Sequence, residues 1–186
     1  MQIDNHMKKK IIITGGLGYI GTELCKIYSG VSWHHEIIVI DNRFISERVN
    51  QIRNWNMEFI HGDILDKDLV NRYFKNADIV HHLAGITDVP RTKSESSGDL
   101  DEKIKLVGEK GTQNILDAIS KECKIIFPST HVVYEGIDEV KNDIKEEEET
   151  KPVLSYSSSK AINEKQLRES GKNYVILRLG SVYGYS

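Results

Sequence analysis

A chain of 186 residues with 39% hydrophobic and 28% charged side chains holds enough apolar material for one ordinary domain with a packed core. The net charge of -3 and pI near 6.2 leave no basic stripe for nucleic acid, and apolar runs such as residues 11–13 fall far short of the roughly 20 residues a bilayer span needs. Two cysteines, Cys25 and Cys123, give no disulfide framework; they read as buried thiols of a reducing compartment, so a cytoplasmic location is expected.

The first residues are polar and basic without the apolar stretch of a secretion signal; Met7 is a candidate start, and residues 1–9 are set aside as a leader or disordered beginning. Lys10–Thr14 is a β-branched run stopped by Gly15-Gly16, after which residues 18–29 take helical spacing with Ile20, Leu24 and Ile27 on one face. Residues 36–40 form a second apolar run ending at Asp41, followed by a helix from Ser46 and a third strand over 57–61. Asp66 is a good N-cap for a helix running to Phe74, and residues 77–83 form a buried strand ending in Ala84-Gly85. Residues 87–99 mix proline, serine and charge as a polar loop. A single long helix over 100–119 then carries Ile104, Val107, Ile115, Leu116 and Ile119 towards a strand at 124–129. Residues 138–151, with four consecutive glutamates from Glu146 to Glu149, read as an exposed, mobile loop. A helix over 155–170 and a sixth strand over 174–179 complete the pattern.

Strands alternating with helices imply a doubly wound parallel sheet of the Rossmann type, three layers α/β/α with strand order 3-2-1-4-5-6, because right-handed crossovers are the common connection. The doublets His34-His35 and His81-His82 lack partners at metal-ligand spacing, and adjacent histidines in a strand point to opposite faces, so no metal is expected.

Between the first strand and first helix runs Thr14-Gly15-Gly16-Leu17-Gly18-Tyr19-Ile20-Gly21, with glycines where the chain must turn, approach a pyrophosphate and pack helix on strand. The helix start adds free amides and a partial positive charge. An acid at the end of the second strand, Asp41, suits the ribose hydroxyls of adenosine and disfavours a 2′-phosphate, so NAD is the expected cofactor, although Arg43 nearby points the other way. Asp63, just past the third strand, falls beside the expected adenine site.

Tyr156 and Lys160 stand four apart on a helix that follows the fifth strand, so they share a face at the nicotinamide end. A phenol of ordinary pKa about 10 is a poor base at neutral pH. Bringing it near 7 needs about 4 kcal/mol, which two close positive charges, Lys160 and the cofactor ring, can supply.

These residues resemble the extended short-chain dehydrogenase/reductase family, whose members are mostly NAD-dependent nucleotide-sugar epimerases and dehydratases. The resemblance rests on the glycine turn, Gly62-Asp63, His82-Leu83-Ala84-Gly85, Gly111-Thr112, Ser129-Thr130 with Val133-Tyr134, Tyr156 to Lys160, and Arg178-Leu179 with Val182-Tyr183-Gly184. It implies Tyr156 as acid/base, Lys160 as ribose ligand and pKa modulator, and Thr130 as a hydroxyl on the reacting sugar oxygen. It implies a cofactor site of Gly15, Gly18, Tyr19, Ile20, Gly21, Asp41, Asn42, Asp63, Ile64, Leu83, Ala84, Gly85, Ser129, Tyr156 and Lys160, with no metal. Dehydratases of the family carry Asp-Glu after the residue matching Thr130; His131 and Val132 stand there, which favours an epimerase. Gly108 replaces a common Asn near the cofactor, and Glu135 interrupts the usual Val-Tyr-Gly.

The expectation is therefore an NAD-binding domain over 10–186, whose smaller substrate-gripping lobe lies outside this sequence, acting on a UDP- or dTDP-linked sugar. A dehydratase or simple NAD(P)-dependent oxidoreductase of the same family, or a non-catalytic NAD(H)-binding module, are the alternatives. The resemblance also implies a homodimer through the helices at 100–119 and 155–170, and no nucleic-acid or membrane partner.

Overall fold

The structure, a computed structural model, describes residues 7–87, 98–138 and 141–184. Its strands are β1 (Lys10–Thr14), β2 (Glu36–Asp41), β3 (Glu58–His61), β4 (Ile79–His82), β5 (Lys124–Thr130) and β6 (Asn173–Leu179). They form one parallel sheet in the order β3-β2-β1-β4-β5-β6, as the alternation implied. The chain reverses direction of growth between β1 and β4, which places the switch point of the sheet at the carboxyl end of β1.

Two apolar layers hold the sheet between helices. On one face Ile12, Ile38, Ile40, Val80, Ile125 and Phe127 pack beneath α3 (Lys67–Phe74), α5 (Gly111–Ala118) and α6 (Ser155–Glu169). On the other, Ile11, Ile13, Ile37 and Val39 meet Cys25 of α1 (Tyr19–Ser29) and Val49 and Ile52 of α2 (Ser46–Asn54). Burial on both faces explains why β1 and β2 read as continuous isoleucine and valine rather than as alternation. Each fully buried side chain of this size contributes about 1.5–3 kcal/mol. Cys25 and Cys123 are both free thiols inside these layers. Asp66 caps α3 as its sequence position required, accepting from the amides of Asp68 and Leu69 at 3.0 Å.

The segment expected as one helix over 100–119 differs. It comprises α4 (Gly98–Lys105), a π turn at Leu106–Lys110 and α5. At the centre of the turn, Gly108 presses so closely on α6 that a Cβ there would lie 2.1 Å from Ser159 Oγ. The wider turn displaces carbonyls from the helical ladder, and α6 receives two of them: Asn163 Nδ2 donates to Gly108 O at 3.1 Å and Gln166 Nε2 to Glu109 O at 3.0 Å. Most of the polar loop expected at 87–99 lies outside the described residues. Among those described, no helix is long and apolar enough to cross a membrane.

Candidate active site

The carboxyl ends of β1, β2 and β4 meet at the glycine turn. Gly15 takes φ +67°, and a Cβ on it would stand 2.8–2.9 Å from the backbone of Leu83 and Ala84. Gly21 lies against the same turn, where a Cβ would fall 2.3 Å from Gly15 O. The turn closes through Gly18 N donating to Gly15 O at 3.0 Å, and α1 starts at Gly18 with no acidic residue in its first turn. This is a backbone cradle that any side chain would fill, set at a helix N-terminus. A pyrophosphate fits both features. Tyr19 and Ile20, in the first turn of α1, are about one-third exposed at its rim.

Asp41 ends β2 with its side chain only 3% exposed. Its Oδ2 accepts from Leu17 N at 2.9 Å; its Oδ1 accepts from Arg43 N at 2.9 Å and from Arg43 Nε at 3.3 Å. A carboxylate offers about four lone-pair sites, so one is left for a ribose hydroxyl. Beside it Asn42 Nδ2 donates to Asp63 Oδ2 at 3.0 Å, while Asp63 Oδ1 accepts from Leu65 N at 2.9 Å. Asp41, Asn42 and Asp63 are thus brought together. Ile64 is not at this surface: its side chain sits in the core, at the place where a Cβ of Gly111 would clash. Only its backbone remains as a possible ligand contact.

The histidine doublet splits across the sheet. His81 Nε2 pairs with Tyr28 Oη at 2.8 Å on one face, and burial pushes the His81 ring down to about 4. His82, on the other face, lies between Thr14 Oγ1 at 3.1 Å and Thr112 Oγ1 at 2.9 Å, and burial together with the charge of Lys160 pushes it down to about 3. Since Ala84 N donates to Thr14 Oγ1 at 3.1 Å, a neutral ring satisfies every partner when Thr14 donates to Nδ1 and Nε2 donates to Thr112. The chain ties the glycine turn, the Leu83-Ala84-Gly85 segment and α5 into one unit through a histidine that stays neutral. Gly85 itself is exposed and Leu83 half-buried.

Tyr156 and Lys160 share one face of α6, with Lys160 Nζ 5.9 Å from the Tyr156 ring centre. Lys160 Nζ donates to Pro128 O at 2.8 Å and lies 4.4 Å above the Phe127 ring. Burial pushes the ammonium down to about 8, against the opposing charge of Glu164. Burial also raises the Tyr156 phenol above its ordinary value. Thr130, at the end of β5, is buried and caps the turn His131–Tyr134, its Oγ1 accepting from Val132 N at 3.2 Å.

Ser129, expected as a cofactor ligand, turns its hydroxyl to a neighbouring carboxylate. Its Oγ donates to Glu164 Oε1 at 2.6 Å inside the sheet, because successive residues of a strand face opposite sides and Ser129 faces α6. Glu164, one turn beyond Lys160, also accepts from Arg178 Nε at 3.0 Å, Arg178 Nη2 at 2.6 Å and Arg168 Nη2 at 2.8 Å. Burial alone would raise this carboxyl, but the hydrogen bonds from Arg178 and Ser129 bring it below the usual carboxylate range. Glu164 therefore pins α6 to β5 and β6. Its signal was present in the sequence as a carboxylate four residues from Lys160, on the helix face that must bury.

Glu135, the residue that interrupts Val-Tyr-Gly, supplies a second anchor. Its Oε1 accepts from Val153 N and Leu154 N at 2.7 Å each, and from Ser157 Oγ, at the start of α6. A carboxylate holding free amides there complements the helix dipole one residue from Tyr156. A cleft of about 530 Å³ opens beside this turn, lined by His131, Val132, Tyr134, Ile144, Glu146 and Arg178 among others. His131 Nδ1 is 3.1 Å from Leu179 O, which leaves Nε2 unprotonated in the neutral ring. The whole arrangement can hold a dinucleotide along the strand ends and present a phenol, an ammonium and a hydroxyl to a bound alcohol.

A family model described as NAD dependent epimerase/dehydratase family matches residues 11–186. The chain is 30% identical to dTDP-D-glucose 4,6-dehydratase of Dictyostelium discoideum, over 97% of this chain and 45% of that protein. It is 32% identical to CDP-paratose 2-epimerase of Salmonella typhi, over 94% of this chain and 58% of that one. Among solved structures it resembles the Bordetella bronchiseptica enzyme WbmG in complex with NAD, with a TM-score of 0.79 and 26% identity over 98% of this chain and 56% of that one. The same enzyme has also been solved with NAD and UDP. The chain spans about half the length of these relatives.

Proposed function

This chain belongs to the NAD dependent epimerase/dehydratase family, and from that premise we propose that it holds NAD and carries the proton-transfer residues of a nucleotide-sugar epimerase. The observation that supports this most is the placing, at the carboxyl ends of one parallel sheet, of the bare glycine cradle with Asp41 and of the part-buried Lys160 beside Tyr156. Gly15, Gly18 and Gly21 would bear the pyrophosphate, Asp41, Asn42 and Asp63 the adenosine half, and Leu83, Ala84 and Gly85 the nicotinamide ribose. The names of the relatives support a nucleotide sugar as the substrate class, UDP- or dTDP-linked in this proposal.

NAD, when bound, supplies the hydride acceptor and later returns the hydride. Tyr156 Oη takes the proton of a sugar hydroxyl and gives it back after the sugar has turned. Lys160 Nζ, 5.9 Å from the Tyr156 ring centre, would add positive charge on the phenol's side of α6 and, released from Pro128 O, would be the candidate ligand of a ribose hydroxyl. Thr130 Oγ1 orients the reacting sugar oxygen.

A dehydratase is the second reading, favoured by the identity to the Dictyostelium protein across nearly the whole chain. His131 and Val132 speak against it, since neither supplies a carboxylate. A homodimer through α4, α5 and α6 belongs to the same proposal, supported by Leu106 in the π turn between α4 and α5 and by Ile162 on α6, which are 54% and 38% exposed. Light scattering that finds only monomer removes it.

Calorimetric titration with NAD tests the cofactor reading, and failure to bind refutes it. With NAD bound, NMR of UDP-glucose and UDP-galactose separates the chemistries: interconversion supports the epimerase, and a 4-keto-6-deoxy product the dehydratase. Tyr156→Phe is expected to bind NAD as the parent does and to abolish either conversion.

A further inference from the structure

The loop after β3 carries Asp63, and the side chain that holds this loop comes from α5, fifty residues further along the chain. Asn114 is 1% exposed and turns its amide to the loop. Its Nδ2 donates to Ile64 O at 3.0 Å and to Leu65 O at 3.3 Å, so both amide protons are spent there. Its Oδ1, also buried, has no hydrogen-bond partner among the described residues. An apolar side chain of the same shape would avoid that cost, so what explains an amide at this position is its donors.

One peptide unit joins this amide to the site. The carbonyl of Ile64 accepts from Asn114, and the N–H at the other end of the same peptide, that of Leu65, donates to Asp63 Oδ1 at 2.9 Å. Asp63 Oδ2 in turn accepts from Asn42 Nδ2 at 3.0 Å. Fixing the plane of that peptide fixes the direction of its N–H, and polarising its carbonyl strengthens the bond that the N–H makes. Asn114 therefore sets where the Asp63 carboxylate stands while remaining buried itself. The start of α5 presses on the same loop, for a Cβ on Gly111 would lie 2.3 Å from Ile64 Cδ1. Thr112 points elsewhere, to His82 Nε2 at 2.9 Å, as residues two apart on a helix do. The first turn of α5 thus braces the Asp63 loop through Asn114 and the Leu83-Ala84-Gly85 segment through Thr112.

We propose that Asn114 is a positioning residue for the adenosine half of a bound dinucleotide, acting through the Ile64–Leu65 peptide on Asp63. The inference rests on the dinucleotide reading of the glycine turn and of Asp63.

Calorimetric titration of the whole chain with NAD and with ADP, which lacks the nicotinamide half, tests it. Asn114→Leu, which keeps the branched shape and removes the donors, should weaken both ligands by roughly tenfold, the worth of one or two neutral hydrogen bonds. The carbonyls it leaves unpaired should also lower the thermal melt, and Asp63→Ala separates the two effects. In that background Asn114→Leu should change ADP affinity by less than about twofold while lowering the melt as much as it does in the parent. Thr112→Val, which acts through His82, should weaken NAD more than ADP. Should Asn114→Leu fail to fold, Asn114→Ser, small enough to admit water to the two carbonyls, takes its place in the same cycle. A loss of ADP affinity that persists undiminished in the Asp63→Ala background overturns the inference, since Asn114 would then support the fold at large. So does a variant that melts lower yet binds both ligands within about twofold of the parent, and in that case the dinucleotide site still stands. A parent that binds neither NAD nor ADP removes the inference together with the dinucleotide reading.

Discussion

Replacing Glu164 by alanine should unlatch the helix that carries Tyr156 and Lys160. The carboxylate side chain is 1% exposed and that of its partner Arg178 only 10%, so neither can recover its hydration when the other is removed. Taking away one member of such a pair costs about 3–5 kcal/mol. Arg168, whose side chain is 47% exposed, adds at most a few tenths of a kcal/mol. Ser129 loses its acceptor as well, within the same network rather than in addition to it. A loss of about 4 kcal/mol is a large part of the roughly 5–15 kcal/mol expected of a domain, and corresponds to about 8–16 °C in Tm. Urea unfolding followed by circular dichroism measures it directly. The double variant Glu164→Leu, Arg178→Met, which removes both charges, should recover much of the loss. A single-variant loss under about 1 kcal/mol, or a double variant as unstable as the sum of the two singles, would refute the reasoning. The sign with pH follows from the depressed carboxyl: its stabilisation is complete above the unfolded value of about 4.3 and is lost as pH falls through the lower folded value.

In the ligand-free chain, Lys160 should titrate near 8, read by NMR of the 13C-dimethylated amine, and Glu164→Gln should lower it further by removing the opposing charge; a titration near 10.4 would show the ammonium to be solvated. Because the unfolded chain binds more protons between those two values, Lys160 makes stability rise with pH over that window, and Lys160→Met should abolish that share of the rise. Gly21→Ala drives a Cβ to 2.3 Å from Gly15 O and 2.7 Å from Gly16 Cα, so it should lose stability despite the gain of about 1 kcal/mol in helix propensity, and NAD affinity should drop at least tenfold; affinity within threefold of the parent would mean that the turn is not the cradle. Glu135→Gln should lower Tm by a few degrees at pH 7, the worth of about 1 kcal/mol for a helix cap, and the difference between variant and parent should shrink as acid protonates Glu135 in the parent; identical melts at pH 7 would remove its capping role.

β1 and β2 were legible because they are short β-branched runs buried on both faces, the first stopped by Gly15 and the second ending in Asp41. β1 matches residue for residue, and the expected strand at 77–83 shortens to Ile79–His82 because its ends turn out of the ladder. The π turn was not legible. Val107, Ile115 and Leu116 keep an acceptable helical period through it, and what forces the extra residue is the contact of Gly108 with Ser159, fifty-one residues away. The positions of Asp41 at the end of β2, of Tyr156 and Lys160 on one helix and of the glycines between β1 and α1 were legible from residue type and spacing. Ser129 and Ile64 could not be placed, since their side chains turn to the core and only three-dimensional strand register reveals that. Glu135 reads as a defect in a motif and is a helix cap, a role set by Val153 and Leu154, which the chain brings back after an eighteen-residue excursion.

The protonation states of the pair on α6 say how such a site must be switched on. In the chain alone, burial raises the Tyr156 phenol and lowers the Lys160 ammonium, so each group leans towards its neutral form and away from the phenolate-ammonium pair that proton abstraction needs. Glu164 partly offsets this by holding charge on Lys160, and it does so from the buried side of the helix, where it cannot compete for a ligand. A further positive charge brought in next to the phenol would favour its ionised form. Under the proposed function, Tyr156 would stay protonated until a cationic cofactor ring lies beside it, which would tie proton abstraction to the presence of a hydride acceptor.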